Sequence, residues 1–238
     1  AMNDDRPDPD LLLARVKALC RRHYQEKQPL VRVGDLEIDL GRRSVRRNGI
    51  PIARSIPRTV TGLASGVSAV AAQSSRSCAV TASGGVLCWG LNSYPGVGWP
   101  DRWTPEAVPG LASGVAGVAT GFYHSCALTN TGAVLCWMGG HEPAPVDGLP
   151  SGVTFVAAGW NHTCAVMAGG AMWCWGDNSR GQRGDGLGVS SPRPTPVTGL
   201  AGGVVTATAG WAHTCAVTTA GAVLCWGDNS AGQLGSGS

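Results

Sequence analysis

Apolar and β-branched residues after residue 57 fall into short runs that are paired around a glycine-containing turn, and this pair recurs four times. In the last copy, Thr-Cys-Ala-Val-Thr at 214–218 and Ala-Val-Leu-Cys-Trp at 222–226 flank Thr-Ala-Gly. Two such runs around a tight turn predict an antiparallel β-hairpin. The two cysteines of each copy then face each other across the two strands.

The hairpin belongs to a longer repeat. Its first cysteine, at positions 78, 126, 164 and 215, recurs after 48, 38 and 51 residues. A Gly-Leu pair lies upstream in each copy and is followed four residues later by a valine, at 67, 115, 153 and 204. Units of about forty to fifty residues with three or four short strands are typical of propeller blades. The sequence therefore predicts a mainly β fold, a partial β-propeller of about four blades, with repeats at about 57–105, 106–144, 145–195 and 196–238.

Two phrases within these repeats resemble a known family. Residues 157–166 read Ala-Ala-Gly-Trp-Asn-His-Thr-Cys-Ala-Val, and residues 226–235 read Trp-Gly-Asp-Asn-Ser-Ala-Gly-Gln-Leu-Gly. Both are similar to the repeats of the regulator of chromosome condensation family. The resemblance implies a β-propeller, a fold that serves exchange factors, photoreceptors, enzyme inhibitors and ligase subunits alike.

The chain departs from that family in blade number and in one loop. The family usually closes with seven blades, whereas the sequence contains four hairpins. The Asp-Asn-x-x-Gly-Gln loop is missing between Trp137 and Pro145. Four blades predict an open arc, or a gene fragment, whose open propeller edges favour self-association. Residues 59–61 could add an outer strand to the last blade and so help to close a ring.

The first 56 residues are different in kind. A helix is predicted at about 10–23 and a small antiparallel sheet at about 30–52. Residues 12–22 resemble the last helix of a receiver domain, and residues 33–52 resemble the opening sheet of a winged-helix domain, in response regulators of the OmpR type. The resemblance implies DNA binding, but the recognition helix that should follow Ile52 is replaced by the first repeat.

Charge separates the two parts as well. Residues 1–58 carry 13 of the 18 basic and 8 of the 15 acidic residues, a net charge of +5, and the remainder carries −2. Weak candidates for phosphate binding, more simply explained as solvated strand charges, are Arg42, Arg43, Arg46 and Arg47. Specific DNA binding is therefore not expected. The alternative function is a DNA-binding transcriptional regulator that is truncated or fused to a propeller sensor.

Eight of the nine cysteines form the four cross-strand pairs. The pairs are Cys78–Cys88, Cys126–Cys136, Cys164–Cys174 and Cys215–Cys225. Opposed antiparallel positions approach the separation that a disulfide accepts, but small apolar filler between blades explains the same pattern. Zinc is disfavoured because the sequence has no Cys-x-x-Cys knuckle. Disulfides would indicate an exported protein, whereas the regulator-like N-terminus favours the cytoplasm, and neither a signal peptide nor a transmembrane run is seen.

Three histidines, His124, His162 and His213, stand two residues before a cysteine, and Arg76 takes that place in the first copy. Three imidazoles around the axis could bind a metal, but a strand-end hydrogen bond within each blade explains their repetition more simply. Trp160 and Trp211 resemble the tryptophan motif of plant ultraviolet-B receptors of this fold. Asn161 or Ala212 replaces the arginine of that motif, so the cation that pairs with the rings is missing.

The sequence has no nucleophile elbow, phosphate loop or metal-ligand spacing, so neither an enzyme nor a cofactor is predicted. A repeat protein with variable loops on one rim typically binds another macromolecule. The predicted function is a protein–protein interaction module with no membrane contact, and the sequence does not identify its protein partner. The candidate binding-loop residues are Asp177, Asn178, Arg180, Gln182, Asp228, Asn229, Gln233, Trp99 and Trp103.

Overall fold

The computed structural model describes residues 30–33, 36–39, 44–47, 50–51, 59–91, 102–139 and 141–237, and the regular structure of these residues is β-strand throughout. The chain divides into two compact units, residues 1–59 and 60–238. The helix predicted at about 10–23 lies outside the described residues. Within the described part, no helix is long and apolar enough to cross a membrane.

The first unit contains a four-stranded antiparallel sheet in simple sequence order. Its strands are β1 (Leu30–Val33), β2 (Leu36–Asp39), β3 (Ser44–Arg47) and β4 (Ile50–Pro51). Leu30 lies opposite Asp39, and Leu36 lies opposite Arg47. Pro51 lies in the edge strand, where its missing N–H breaks no central ladder. The small antiparallel sheet predicted at about 30–52 is therefore confirmed in the described strands, which end at Pro51.

The second unit consists of four antiparallel sheets, which are the four predicted blades. The first blade contains β5 (Val67–Gln73), β6 (Arg76–Thr81), β7 (Val86–Gly90) and β8 (Arg102–Ala107). The second contains β9 (Val115–Thr120), β10 (His124–Thr129), β11 (Val134–Met138) and β12 (Ala144–Pro145). The third contains β13 (Val153–Ala158), β14 (His162–Met167), β15 (Met172–Gly176) and β16 (Ser191–Pro196). In the fourth, the described strands are β17 (Val204–Ala209), β18 (His213–Thr218) and β19 (Val223–Gly227).

The blades pack in sequence order, with the first strands of successive blades in contact. Each interface buries one apolar face of a blade against the next blade. Between the second and third blades, for example, Leu128 and Val134 join the same core as Val153 and Trp175. Backbone bonds close each interface as well, because the amide of Val153 donates to the carbonyl of Gly132 at 3.1 Å. Stacking is therefore the source of the core, since a single three- or four-stranded blade cannot cover both its faces.

The cysteines of each pair lie directly opposite one another on the second and third strands, as predicted. Each pair is joined as a disulfide, which is the first of the two alternatives raised by the sequence. The disulfides lie on the face that meets the following blade. Cys164 and Cys174 are fully buried there against Val204 and Ala216.

The two end faces of the arc are uncovered. Val67 of the first blade is 39% exposed, whereas the equivalent Val115 is 4% exposed. Val223 of the fourth blade is 65% exposed, whereas the equivalent Val134 is 4% exposed. Residues 59–61 form no strand, and the amide of Leu63 turns back to the carbonyl of Val60 at 3.0 Å. The suggested outer strand is therefore wrong, while the partial four-bladed propeller is confirmed.

Candidate functional site

One end of the blades carries the long connections. The amide of Asp177 donates to the carbonyl of Asn161, and the amide of Asp228 donates to the carbonyl of Ala212, both at 2.8 Å. The turns between first and second strands therefore lie beside the connections that follow the third strands. We call this end the loop rim. It comprises the turns 74–75, 121–123, 159–161 and 210–212, Met138 at the end of β11, and the described residues that follow the third strands, namely 91, 139, 177–190 and 228–237.

The Asp-Asn-Ser-x-Gly-Gln phrase builds the loop that follows β15. The carboxylate of Asp177 accepts hydrogen bonds from Ser179, Gln182 and Ser190. Burial acts to raise the pKa of Asp177, but these bonds outweigh it and hold the pKa below its usual value. In the fourth copy the carboxylate of Asp228 accepts from Gln233 in the same way, at 2.6 Å. The repeated residues thus satisfy each other within the loop.

Arg183 anchors this loop to its own blade, although the sequence pattern did not single it out. Its guanidinium is buried and lies 2.9 Å from the carboxylate of Asp185. It also donates to Oγ1 of Thr195 on β16 at 2.6 Å and to the carbonyl of Val189 at 2.5 Å. Burial acts to raise the pKa of Asp185. The hydrogen bond from the Leu187 amide and the charge of Arg183 act in the opposite direction and contribute to a pKa that is lowered overall. This buried ion pair holds residues 186–190 outward as an exposed tip.

The same loop also clamps the next blade. The carbonyl of Gln182 accepts hydrogen bonds from Oγ1 of Thr214 at 2.8 Å and from Nε1 of Trp226 at 2.9 Å. Thr214 has one hydroxyl hydrogen, and the carbonyl of Gln182 takes it. Nε2 of His162, 2.9 Å from the same hydroxyl, must therefore be the donor in that pair. The geometry therefore places a proton on Nε2 of His162.

The histidines that recur in the sequence connect neighbouring blades. Nε2 of His124 lies 2.6 Å from Oγ1 of Thr163 in the third blade, just as His162 contacts Thr214 in the fourth. The expected strand-end bond within each blade is therefore wrong, because it crosses to the following blade. Burial lowers the pKa of His124 and His162 to about 4, with Arg76 acting in the same direction on His124. Among the described residues, no group of three metal-ligating side chains occurs.

A glycine makes room for each of these imidazoles. A Cβ at Gly159 would stand 2.4 Å from Cε1 of His162, and one at Gly121 would stand 2.5 Å from Cε1 of His124. The first blade has Gln73 at this position, and Arg76 replaces the histidine. The Gly-x-x-His phrase is therefore a packing unit in which the imidazole requires the glycine.

The first interface lacks the histidine link. Arg76 is buried, and its Nε donates to the carbonyl of Leu91 at 3.3 Å. Nη1 of Arg76 and Oγ of Ser125, the residue equivalent to Thr163, are buried without hydrogen-bond partners among the described residues. Burial lowers the pKa of Arg76. This interface therefore carries unpaired polar groups where the next two carry a hydrogen bond.

Aromatic rings form a line along the loop rim. The rings of Phe122 and Trp160 stack in parallel with centroids 3.7 Å apart, and Trp160 and Trp211 follow at 4.8 Å with a 35° tilt. The rings come from the turns of three successive blades, so the line follows the arc. Trp211 is 67% exposed and forms the open end of the line.

A cleft of about 600 Å³ lies between the second and third blades, near the same rim. Met138, Pro145, Trp175 and Arg193 are among its walls. The connection from β11 to β12 spans only residues 139–143, whereas that from β15 to β16 spans 177–190. The described residues of the short connection provide no counterpart to the Gln182 clamp of the next interface, as the missing loop in the sequence indicated.

The predicted binding residues fall into two groups. Asn178 and Gln182 are buried within the loop, where Asn178 donates to Asp185 and Gln182 donates to Asp177. Arg180 is exposed at the tip of that loop, and Asn229 and Gln233 occupy the equivalent places to Asn178 and Gln182 in the fourth copy. Their role in binding stays a prediction.

Trp103 lies apart from these loops, in the outer strand β8. Trp99, Arg42 and Arg43 lie outside the described residues. Arg46 is exposed in β3 opposite Glu37, and Arg47 belongs to the same strand. The nucleic-acid role considered for these arginines stays a prediction.

These features define a repeat protein of the β-propeller class whose blades are tied together at one rim. Residues 67–94, 115–137, 153–182 and 204–233 match the Regulator of chromosome condensation (RCC1) repeat, and a second profile of that repeat matches residues 169–217. Together the matches cover more than half of the chain. The protein therefore belongs to the family built from regulator of chromosome condensation repeats.

Solved structures agree with this fold. Prp20p from Saccharomyces cerevisiae, studied together with its binding to Gsp1p and histones, has 21% identity and a TM-score of 0.61 over 82% of this chain and 55% of its own. Yeast RCC1 (Prp20) bound to Kap60 has 19% identity and a TM-score of 0.60 over 84% of this chain and 51% of its own. Human WBSCR16 has 21% identity and a TM-score of 0.58 over 71% of this chain and 47% of its own. The chain thus spans about half the length of these structures. No curated protein sequence gives a significant match.

Proposed function

We propose that this chain is a protein-binding module without catalysis of its own, and that it engages its partner through the loop rim. Five large apolar side chains are exposed on this rim: Leu91, Met138, Leu187, Val189 and Trp211. The turns at the opposite end, 82–85, 130–133, 168–171 and 219–222, contain only small or polar residues. This asymmetry carries the proposal, because exposed tryptophan and aliphatic groups within a polar surround are typical of protein interfaces.

The construction of the rim supports the same function. Asp177, Arg183 and the Gln182 carbonyl bond to the loop, to β16 and to the next blade, so the tip of the loop is presented on a fixed base. A preformed surface loses less conformational entropy on binding than a flexible one. The net charge of −2 on the repeats argues against a nucleic-acid partner, because duplex binding relies on neutralising phosphates with Lys and Arg. The full chain is accordingly expected to show no sequence-dependent retention of DNA at physiological salt in a mobility-shift assay.

A site-specific photo-cross-linker tests the proposed surface. Placed at Leu187 on the loop rim, it should capture a defined protein partner from the source cell, while the same group at Ala220 on the opposite end should capture none. The captured protein is then titrated as a purified component, and Trp211→Ala should weaken its binding more than tenfold, as truncation of a central tryptophan does. Equal capture from both positions, or unchanged affinity after Trp211→Ala, would contradict the assignment of the rim.

A further inference from the structure

We infer that the cleft between the second and third blades receives a peptide turn of the form Gln-x-Gly from a different protein. The site deepens the protein-binding function proposed above and depends on it. The clamp at the next interface provides the template, because there the chain itself inserts such a turn, Gln182-Arg183-Gly184, against the following blade.

The template turn makes three contacts that define it. Its Gln182 carbonyl accepts from Thr214 and from Trp226, at 2.8 and 2.9 Å. Two residues later, Gly184 lies so close to the indole that a Cβ would stand 2.6 Å from Nε1 of Trp226. Its φ of +69° also favours glycine. The residue between them differs between copies, and Arg183 contacts its own loop and β16 rather than the following blade.

The two groups that bind the Gln182 carbonyl in the template have equivalents in the cleft. Thr163 and Trp175 are the equivalents of Thr214 and Trp226, and both line the cleft. Oγ1 of Thr163 contacts His124, just as Thr214 contacts His162, but no described carbonyl takes its second hydrogen-bonding position. Trp175 lines the cleft, and its Nε1 has no hydrogen-bond partner among the described residues. Thr163 and Trp175 thus bring to the cleft the same two groups that bind the Gln182 carbonyl at the next interface, which points to a backbone carbonyl as the ligand group.

The size and walls of the cleft suit a turn rather than a flat surface contact. About 600 Å³ is enough for several residues of a peptide, and the walls include both Glu142 and Arg193. Because Glu142 is acidic and Arg193 is basic, the cleft has no net preference for the charge of the residue between the carbonyl and the glycine. The missing loop between β11 and β12 thus changes an internal clamp into an external receptor, with the specificity for a carbonyl followed by glycine retained.

A peptide made from the chain's own template tests this site. The probe is a fluorescein-labelled, backbone-cyclised peptide of residues 177–185, titrated with the oxidised full-length chain and followed by fluorescence anisotropy. Saturable binding is expected. Trp175→Phe removes the five-membered ring that carries the Nε1–H donor. It should weaken binding of the probe about fivefold, the loss typical of one hydrogen bond. Trp226→Phe makes the same change at the already filled interface and should leave the affinity unchanged. A probe with Gly184→Ala should bind more than fivefold more weakly.

A loop transplant provides an independent test that does not depend on weakening the fold. Replacing residues 139–143 with the sequence of residues 177–190 should fill the cleft from within, abolish binding of the probe and raise the unfolding temperature. No saturable binding at about 1 mM probe, a concentration that detects even millimolar affinity, would overturn the proposal. Unchanged binding after Trp175→Phe or after the transplant would overturn it as well.

Two further outcomes separate this site from its premises. If a protein is captured from position 187 while the probe fails to bind, the protein-binding function stands and the cleft assignment falls; if neither occurs, both fail. Concentration-dependent self-association that the transplant abolishes would identify a second copy as the occupant, through its Gln233-Leu234-Gly235 turn, and would overturn the assignment to a different protein.

Discussion

Nε2 of His162 lies 2.9 Å from Oγ1 of Thr214, a residue 52 positions further along the chain and in the next blade. The hydroxyl donates a hydrogen bond to the carbonyl of Gln182, so the imidazole, the hydroxyl and the loop form one continuous chain of hydrogen bonds. The link therefore ties the third blade to the fourth through both a strand end and a loop. Nε2 donates in either charge state, but a second proton on the buried Nδ1 places a charge inside this interface, which makes the interface sensitive to acid.

Acidification should destabilise the propeller between pH 6.5 and about 4. In this range the unfolded histidines bind protons, with the ordinary pKa of 6.5, while His124 and His162 stay neutral in the folded state until about 4. The contribution of these histidines to the free energy of unfolding is therefore full above pH 6.5. It falls by about 1.4 kcal/mol per pH unit for each buried histidine as the pH is lowered towards 4. Urea unfolding across this range measures the slope. His162→Gln should remove one histidine's share, and an unchanged slope would contradict the assigned burial.

The carboxylates act in a different range. The pKa values of Asp177, Asp185 and Asp228 lie below the ordinary 3.8, so their contribution is lost only as the pH falls below that value. Comparing slopes above and below pH 4 therefore separates the histidines from the loop carboxylates.

A His–Thr hydrogen bond introduced between the first and second blades should stabilise the protein. Arg76→His combined with Gln73→Gly and Ser125→Thr reproduces the Gly-x-x-His arrangement and its hydroxyl partner. We expect the free energy of unfolding to rise by about 1 to 2 kcal/mol, because one hydrogen bond forms and buried unpaired groups disappear. Arg76→His alone is the control. It should give no gain, since the imidazoles of the other blades require glycine three positions earlier. A gain from the single substitution equal to that of the triple would refute this account.

The disulfides should be structural and unequal. Of nine cysteines, eight are paired, so thiol titration of denatured, unreduced protein should detect one thiol, that of Cys20. Removing a disulfide of this kind typically costs about 2 to 4 kcal/mol. Replacing the fully buried Cys164 and Cys174 by alanine should cost more than replacing the half-buried Cys215 and Cys225, because only the former leaves a closed cavity. Nine free thiols in oxidised protein would contradict the pairing.

The uncovered end faces should make these 238 residues associate head to tail. Val67 and Val70 at one end, and Val223 at the other, occupy positions that internal blades bury against their neighbours. Such an interface joins two different surfaces, so it can continue from copy to copy. Sedimentation velocity should show association that rises with concentration and is reduced by Val223→Lys. Val189→Lys is the control, because Val189 is similarly exposed, at 67% against 65%, but lies on the loop rim. A concentration-independent monomer would rule this out.

The sequence by itself determined the features that repeat at short range. Alternating apolar runs around a glycine turn specify the hairpin, and the constant cysteine spacing specifies which residues oppose each other, as Cys164 and Cys174 do. The missing loop before Pro145 was also visible, since it is a departure from a repeated phrase. The sequence could not decide between disulfide and apolar filler, because both place cysteine at the same buried position.

Only the tertiary structure decided which blades the side chains connect. His124 and Thr163 are 39 residues apart, and Gln182 and Trp226 are 44 apart, so no local pattern couples them. Nothing in the sequence distinguishes Arg183 from an exposed loop charge, and its burial against Asp185 depends on how the loop folds back over β16. The cleft beside Trp175 exists because two blades meet where a loop is short. Hairpins follow from the periodicity of neighbouring residues, whereas these links depend on the rotation and distance between stacked blades, which the packing of their buried faces sets.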